Sequence, residues 1–232
     1  MISFSQEEIT VIYISFKIAT IASLSSLPFG IWVGFILARK NFLFKKLIVS
    51  FINLPLILPP VVTGYLLLIL FGKNGFIGKF LLDYFNFTFA FKWTGAALAC
   101  AIMGFPLMVR SIKLAIEMID IKIENAAKTL GASPLKVFFT ITLPISIPGI
   151  IVGTTLSFAR SLGEFGATIT FVSNIPGETQ TISAAIYTFL QIPNGEIMAM
   201  RLTIISIIVS ILAILFSEII IERILKTNKE NE

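Results

Sequence analysis

Long apolar runs, separated by short charged segments, dominate the pattern of this chain. A helix needs about 20 apolar residues to cross the roughly 30 Å core of a bilayer. Stretches of this kind occupy residues 9–38, 47–72, 93–116, 145–172 and 200–221. They predict an all-α integral membrane protein with about five transmembrane helices. The phenylalanine-rich segment between Lys73 and Lys92 is interrupted by polar residues. We expect it to lie at the membrane interface, and a sixth helix is not required.

The distribution of lysine and arginine predicts the orientation, because basic residues concentrate in cytoplasmic loops. With the N-terminus outside, three basic residues fall in the outer segments: Lys73, Lys79 and Lys92. Twelve fall in the inner ones: Arg39, Lys40, Lys45, Lys46, Arg110, Lys113, Lys122, Lys128, Lys136, Arg223, Lys226 and Lys229. The sequence therefore predicts an outer N-terminus and a cytoplasmic C-terminus.

The cytoplasmic segment 117–144 has a helical pattern of its own. Its apolar residues recur at helical spacing, at Ile119, Ile123, Ala126, Ala127 and Leu130. We expect the polar residues Lys122, Glu124, Asn125, Lys128 and Thr129 on the opposite side. Gly131 suits a left-handed helix end, Ser133 an N-cap and Pro134 the first position of another helix. This predicts a helix, a tight turn and a second helix, either lying on lipid or binding a soluble partner.

The fourth apolar stretch carries a stripe of small residues and a pair of opposite charges. The stripe, which favours close approach of another helix, consists of Gly149, Gly153, Ser157 and Ser161. Arg160 and Glu164 are one helical turn apart. Each charge costs about 2.5–3.5 kcal/mol at the centre of a lone membrane helix, so such a pair indicates a functional site. We expect Thr154, Ser157, Arg160 and Glu164 to line or gate a substrate path; the alternative is a salt bridge that only fixes packing.

Composition excludes several other classes of protein. Apolar residues make up 56% of the 232 residues and charged residues 13%, against about 25% charged in soluble domains. The net charge of +5 is spread over short clusters, which does not favour nucleic-acid binding. The chain has no histidine and a single cysteine, Cys100, which excludes His/Cys zinc sites and Ser–His or Cys–His catalysis. No P-loop is present, so ATP hydrolysis would have to come from a partner.

The loop segment resembles the EAA loop of the permease subunits of ABC importers. The residues that carry the resemblance are Glu124, Asn125, Ala126, Ala127, Gly131, Ile141, Leu143 and Pro144. One departure is that the position of the motif glutamate is occupied by Asn125, with Glu124 just before it. The resemblance implies that this loop is the coupling helix that docks into a cytoplasmic ATPase subunit.

Three further runs resemble one branch of that family. Residues 158–168 are similar to the permeases for molybdate and sulfate, and residues 54–62 and 169–181 are similar to those for molybdate. The resemblance implies a single type I ABC importer permease domain over residues 1–232. It also implies a bacterial or archaeal inner-membrane homodimer, cytoplasmic ATPase subunits that use ATP, and an extracytoplasmic molybdate-binding protein. No cofactor is expected on this chain.

The implied function is import of molybdate, or of tungstate, by alternating access. Two alternatives stay open. A sulfate or thiosulfate permease would use the same machinery with another cargo. A secondary transporter would fit the hydropathy, but it would leave the segment 117–144 without a role.

Overall fold

In the computed structural model, residues 4–230 are described, with side chains through residue 223. All regular structure in this range is helical, which confirms the predicted all-α class. The helices are α1 (Gln6–Arg39), α2 (Lys45–Ile57), α3 (Pro60–Phe71), α4 (Phe76–Phe85), α5 (Trp93–Glu117), α6 (Ile121–Thr129), α7 (Pro134–Val137), α8 (Leu143–Leu162), α9 (Gly166–Val172), α10 (Ile182–Phe189) and α11 (Glu196–Glu230). A π-helical turn, Phe138–Thr142, joins α7 to α8.

Four stretches of the described chain are long and apolar enough to cross a membrane as continuous helices. They are α1, α5, the combined segment Pro134–Leu162 and the part of α11 from Glu196 to Arg223. The pair α2 and α3 qualifies as a fifth crossing only if the two are taken together. The predicted number of about five spans is consistent with this arrangement. The two chain ends, to which the orientation prediction refers, lie outside the described residues.

Two of the five predicted stretches are broken rather than continuous. The axes of α2 and α3 differ by 112° at the break between them. Leu58 is extended there and Pro59 also lies outside the helical conformation, because a proline disfavours the helical conformation of the residue before it and cannot donate a backbone hydrogen bond. The fourth stretch breaks after Leu162, the last residue of α8, and α9 starts at Gly166. The length of the apolar runs therefore predicted the membrane crossings, but it did not predict where the helices are interrupted.

The segment between Lys73 and Lys92 contains the short helix α4, which the sequence did not specify. Phe76, Phe80 and Tyr84 lie on its exposed side, and the Phe80 and Tyr84 rings are 4.8 Å apart. Aromatic side chains of this kind are typical of the boundary between lipid and water. The helix is consistent with the interfacial location expected for this segment.

The centre of the fold is α5, which packs against α1 on one side and α8 on the other. The stripe of small residues on α8 meets α5 at Ala115, Met108, Gly104 and Cys100. A Cβ atom on Gly153 would lie 2.9 Å from the carbonyl oxygen of Met108. Small residues are needed along this seam because the two backbones approach each other closely. The packing role predicted for the stripe is confirmed.

The N-terminal parts of α1 and α11 form a second, smaller core with α10. Its buried side chains are Val11, Ile182, Ala185, Phe189, Ala199 and Leu202. Next to this core Glu8, which is fully buried, pairs with Arg201 at 3.1 Å. Ser5 and Glu8 also form a capping box at the start of α1. The long helices α1 and α11 are thus joined to each other at their N-terminal ends.

Gly64→Ala should destabilise the fold, because α3 packs directly on the backbone of α9 at this position. A Cβ atom on Gly64 would lie 2.9 Å from the Cα atom of Ala167. We expect the free energy of unfolding in detergent to fall by about 1–3 kcal/mol, the usual cost of overpacking. The matched control is Gly163→Ala, whose added methyl group would have no neighbour closer than 3.9 Å. Equal melting temperatures for the two variants would contradict the close α3–α9 contact.

Candidate functional site

Segment 117–144 forms the helix–turn–helix that its sequence predicts. The side chain of Asp120 accepts a hydrogen bond from the Lys122 amide at the start of α6. Gly131 has a φ of +87°, and the Ala132 amide donates to the Ala127 carbonyl at 3.0 Å to close the end of α6. Ser133 then caps α7 through the Lys136 amide. These hydrogen bonds define where α6 ends and where α7 begins.

Glu124 lies on the side of α6 that faces the protein, away from the exposed Ile123 and Leu130, and the spacing of the residues did not predict its burial. Its side chain is buried, and its Oε1 atom accepts hydrogen bonds from Arg39 Nε at 3.0 Å and from Arg39 Nη2 at 2.8 Å. Thr142 Oγ1 donates to the same oxygen at 3.0 Å. The burial is possible because the carboxylate finds a cation and a hydroxyl donor there.

The exposed surface of α6 carries apolar residues beside polar ones. Ile123, Ala126 and Leu130 of the predicted apolar stripe are all exposed, Leu130 by 89%, and so are Lys122 and Lys128. Asn125 and Gly131 are exposed as well, and Ala127 is half-buried. An exposed apolar surface on a short helix is typical of a protein-binding site.

The remaining residues of the predicted motif lie where α8 begins. Ile141 belongs to the π-helical turn, and Leu143 and Pro144 are the first residues of α8. Ile141 and Leu143 are half-buried, whereas Pro144 is exposed. The structure thus joins the two halves of the motif through Thr142, which contacts Glu124 across 18 residues. Sequence reasoning missed Arg39 and Thr142; the only available signal was that Arg39 ends the first apolar stretch.

The second candidate site is the ion pair at the break between α8 and α9. Arg160 Nη1 lies 2.6 Å from Glu164 Oε2. The Glu164 side chain is 1% exposed, and its Oε1 atom accepts a hydrogen bond from the Ala167 amide at 2.8 Å. The Arg160 side chain is 27% exposed. The carboxylate therefore has a structural role at the start of α9, while the guanidinium is the part that can meet a solute.

The two broken helices meet beside this ion pair. A Cβ atom on Gly166 would lie 2.7 Å from Pro60 Cβ, which places the break before α3 against the start of α9. Non-helical backbone within a membrane is tolerated where it is buried in protein or lines a cavity. In transporters, discontinuous helices of this kind commonly form the substrate site.

The other two predicted path residues lie elsewhere. Ser157 is fully buried against Gly104 of α5, so in the single chain its side chain faces no open surface. Thr154 lines a cavity of about 250 Å³ between α1, α8 and α11, together with Thr20, Ser23 and Phe158. The structure therefore groups Arg160 with Glu164 but separates both from Ser157 and Thr154. Among the described residues, no group of His, Cys, Asp or Glu side chains is placed to hold a metal ion.

Comparison with known proteins supports the transport interpretation. A family described as binding-protein-dependent transport system inner membrane component matches residues 26–226. The molybdenum transport system permease protein ModB of Escherichia coli K12 is 60% identical over 89% of this chain and 90% of its own length. The ModB protein of Haemophilus influenzae is 56% identical over 94% of this chain and 96% of its own.

More distant proteins share the fold. The sulfate transport system permease protein CysT of Salmonella typhimurium is 39% identical over 75% of this chain and 62% of its own length. Among solved structures, a bacterial ABC transporter for import of the acidic polysaccharide alginate matches 95% of this chain and 80% of its own. Its TM-score is 0.74 at 18% identity, so it supports the architecture alone.

Arg160→Met should be more damaging to stability than the double change Arg160→Met with Glu164→Gln. The single variant leaves the buried Glu164 carboxylate without its cation, at a cost of about 3 kcal/mol for a partly exposed pair. The double variant removes the charge and keeps an amide oxygen able to accept from Ala167. Thermal unfolding in detergent measures both. A single variant as stable as the double would show that the ion pair contributes nothing to the fold.

Proposed function

The chain belongs to the family of binding-protein-dependent transport system inner membrane components, and we propose that it is the membrane-spanning permease subunit of an ATP-driven molybdate importer. The observation that carries the proposal is 60% identity, over nearly the whole chain, to a molybdenum permease. The sulfate permease of Salmonella typhimurium is more distant, at 39% identity over 75% of the chain. The chain is a transport subunit, and in ABC importers ATP is hydrolysed by a separate subunit.

The assembly in this proposal contains two copies of the chain, cytoplasmic ATPase subunits and an extracytoplasmic molybdate-binding protein. The protein is a multi-pass component of the inner membrane. The excess of basic residues in the predicted inner loops supports an outer N-terminus and a cytoplasmic C-terminus. Segment 117–144 then faces the cytoplasm, where the exposed apolar surface of α6 is available to the ATPase subunit. ATP is used by that subunit, and this chain needs no cofactor of its own.

Transport proceeds by alternating access. Closure of the ATPase subunits on ATP moves the docked α6 helices, and the membrane helices tip the cavity between the two copies from one side to the other. The anion sheds its hydration water inside this cavity, so the path needs polar groups but no tight site. Tungstate, an oxyanion of similar shape and charge, is an alternative cargo for the same path.

Within this path, Arg160 is the side chain that best fits an oxyanion. Its guanidinium is partly exposed and held at one end by the buried Glu164 carboxylate. Its other N–H groups are able to donate to oxygen atoms of the anion in the planar geometry that suits oxyanions. Pairing with Glu164 also weakens the attraction, which favours release over retention. Thr154 and Ser157 have a smaller part in the proposal, since neither shares the exposed surface of Arg160.

The test is ATP hydrolysis by the reconstituted importer. Proteoliposomes would hold this chain, its ATPase subunit and its binding protein, and molybdate, tungstate and sulfate would be titrated separately. We expect molybdate or tungstate to stimulate hydrolysis and sulfate to leave it at the basal rate. Stimulation by sulfate alone would mean that the chain belongs to an ATP-driven importer whose substrate is sulfate rather than molybdate. Failure of the ATPase subunit to associate with the chain would overturn the proposal.

The role of Arg160 is tested by uptake in the double variant Arg160→Met with Glu164→Gln. Because the double variant avoids an unpaired buried carboxylate, its defect reports on transport rather than on folding. We expect molybdate uptake to fall by about 5–100-fold, equivalent to loss of about 1–3 kcal/mol of interaction in the path. Melting temperature and ATPase association serve as controls. Uptake at the wild-type rate would show that neither the Arg160 charge nor the Glu164 charge takes part in transport.

A further inference from the structure

The attachment of α6 to the rest of the protein depends on one polar side chain. Glu124 is the buried residue of α6; every other residue of this helix is exposed or half-buried. A surface helix is ordinarily held by an apolar stripe against the core. Here Ile123 and Leu130 point away, and the side chain that enters the protein is a carboxylate with 4% exposure.

That carboxylate connects three membrane helices at their inner ends. Arg39, which donates two hydrogen bonds to Glu124, is the last residue of α1. Arg39 Nη2 also donates to the carbonyl of Ile119, just beyond α5, at 3.1 Å. Thr142, which donates to the same Glu124 oxygen, immediately precedes α8. The ends of α1, α5 and α8 therefore meet at the inner face of α6.

Burial makes this contact stiff. Removing one partner of a buried ion pair leaves an uncompensated charge, so the pair resists separation even when it adds little net stability. The exposed pair between Lys113 and Glu117, at 3.2 Å, lacks this property because water competes for both groups. Three donors on one oxygen also fix the direction of the Glu124 side chain, and so limit rotation of α6 against the membrane helices.

We propose that Glu124 is a positioning residue that makes α6 move as one body with the inner ends of α1 and α8, so that force applied to α6 reaches the membrane helices without slipping. The proposal rests on the proposed function, because it assumes that an ATPase subunit pulls on α6. Glu124 is engaged inside the protein, so contact with that subunit falls to the exposed residues of α6, including Asn125 at the glutamate position of the motif.

The first test is the amount of molybdate transported per ATP hydrolysed. Glu124→Gln weakens the link to Arg39 while keeping the size of the side chain. We expect this ratio to fall by on the order of tenfold, within the range usual for coupling between two sites. The matched control is Glu8→Gln, which removes the charge from an equally buried ion pair at the other end of α1. It should lower the melting temperature by a similar amount and leave the ratio unchanged.

A second variant separates a mechanical link from a general loss of stability. Arg39→Met removes the other partner, and the double variant combines it with Glu124→Gln. If the two residues act through each other, the double variant should reduce the ratio no further than the worse single variant. If the reductions in this ratio multiply in the double variant, the two residues act independently of each other. That outcome would overturn the proposal.

The stiffness of the link is also measurable without an ATPase subunit. Spin labels on Lys40→Cys and Lys128→Cys, both at exposed positions, report the distance between the end of α1 and α6 in the isolated chain. We expect a narrow distance distribution in the chain that carries only the two labelled cysteines, and also when Glu8→Gln is added. Adding Glu124→Gln instead should give a broad distribution. An equally narrow distribution in Glu124→Gln would overturn the proposal.

The two measurements distinguish failure of the proposal from failure of the proposed function. If the unmodified importer shows no molybdate-stimulated hydrolysis, the proposed function fails, and the spin-label distances still test the link. If the importer works and Glu124→Gln retains the full ratio, the proposed function stands and the link is rejected.

Discussion

The lack of water in the bilayer core is the constraint on which this structure depends. A backbone amide or carbonyl without a partner there costs several kcal/mol, so helices are interrupted only where protein surrounds the interruption. Both breaks in this chain follow that requirement. Pro59 and Pro60 have no backbone N–H group that would need an acceptor. Pro60 also lies against Gly166. At the second break, Glu164 accepts a hydrogen bond from the Ala167 amide. The two interruptions are thus stabilised by the same local contact.

The same constraint explains where three of the described ion pairs lie. Glu8 pairs with Arg201 near the starts of α1 and α11, Arg160 with Glu164 at the broken helices, and Arg39 with Glu124 at the end of α1. In each pair the carboxylate is buried and the arginine is more exposed. A buried ion pair is weak evidence for stability, since apolar residues of similar volume often stabilise as well or better. Its directional hydrogen bonds, however, hold two elements in one arrangement.

That distinction relates the fold to transport. An importer needs helices that tilt as rigid units, and it needs a path in which the anion is not bound tightly. Close packing of α8 on α5 through small residues provides rigidity without bulky side chains in the seam. In the proposed mechanism, the pair at Arg160 offers a cation that is already partly neutralised, and the pair at Glu124 connects α6 to α1 and α8. Rigidity and weak binding of the anion would then be supplied by different parts of the chain.

The sequence by itself determined the features that depend on local chemistry. Apolar length identified the crossings, Gly131, Ser133 and Pro134 identified the turn after α6, and the spacing of the small residues identified the face of α8 that packs closely on another helix. Each follows from residues within a few positions of one another. The inward direction of Glu124 and the burial of Ser157 were decided by the tertiary structure. Arg39 is 85 residues from Glu124 in sequence, and only packing of α1 against α5 and α8 brings a cation to the carboxylate. Helical periodicity separates the polar side of α6 from its apolar side, but it does not show which of the two faces the protein.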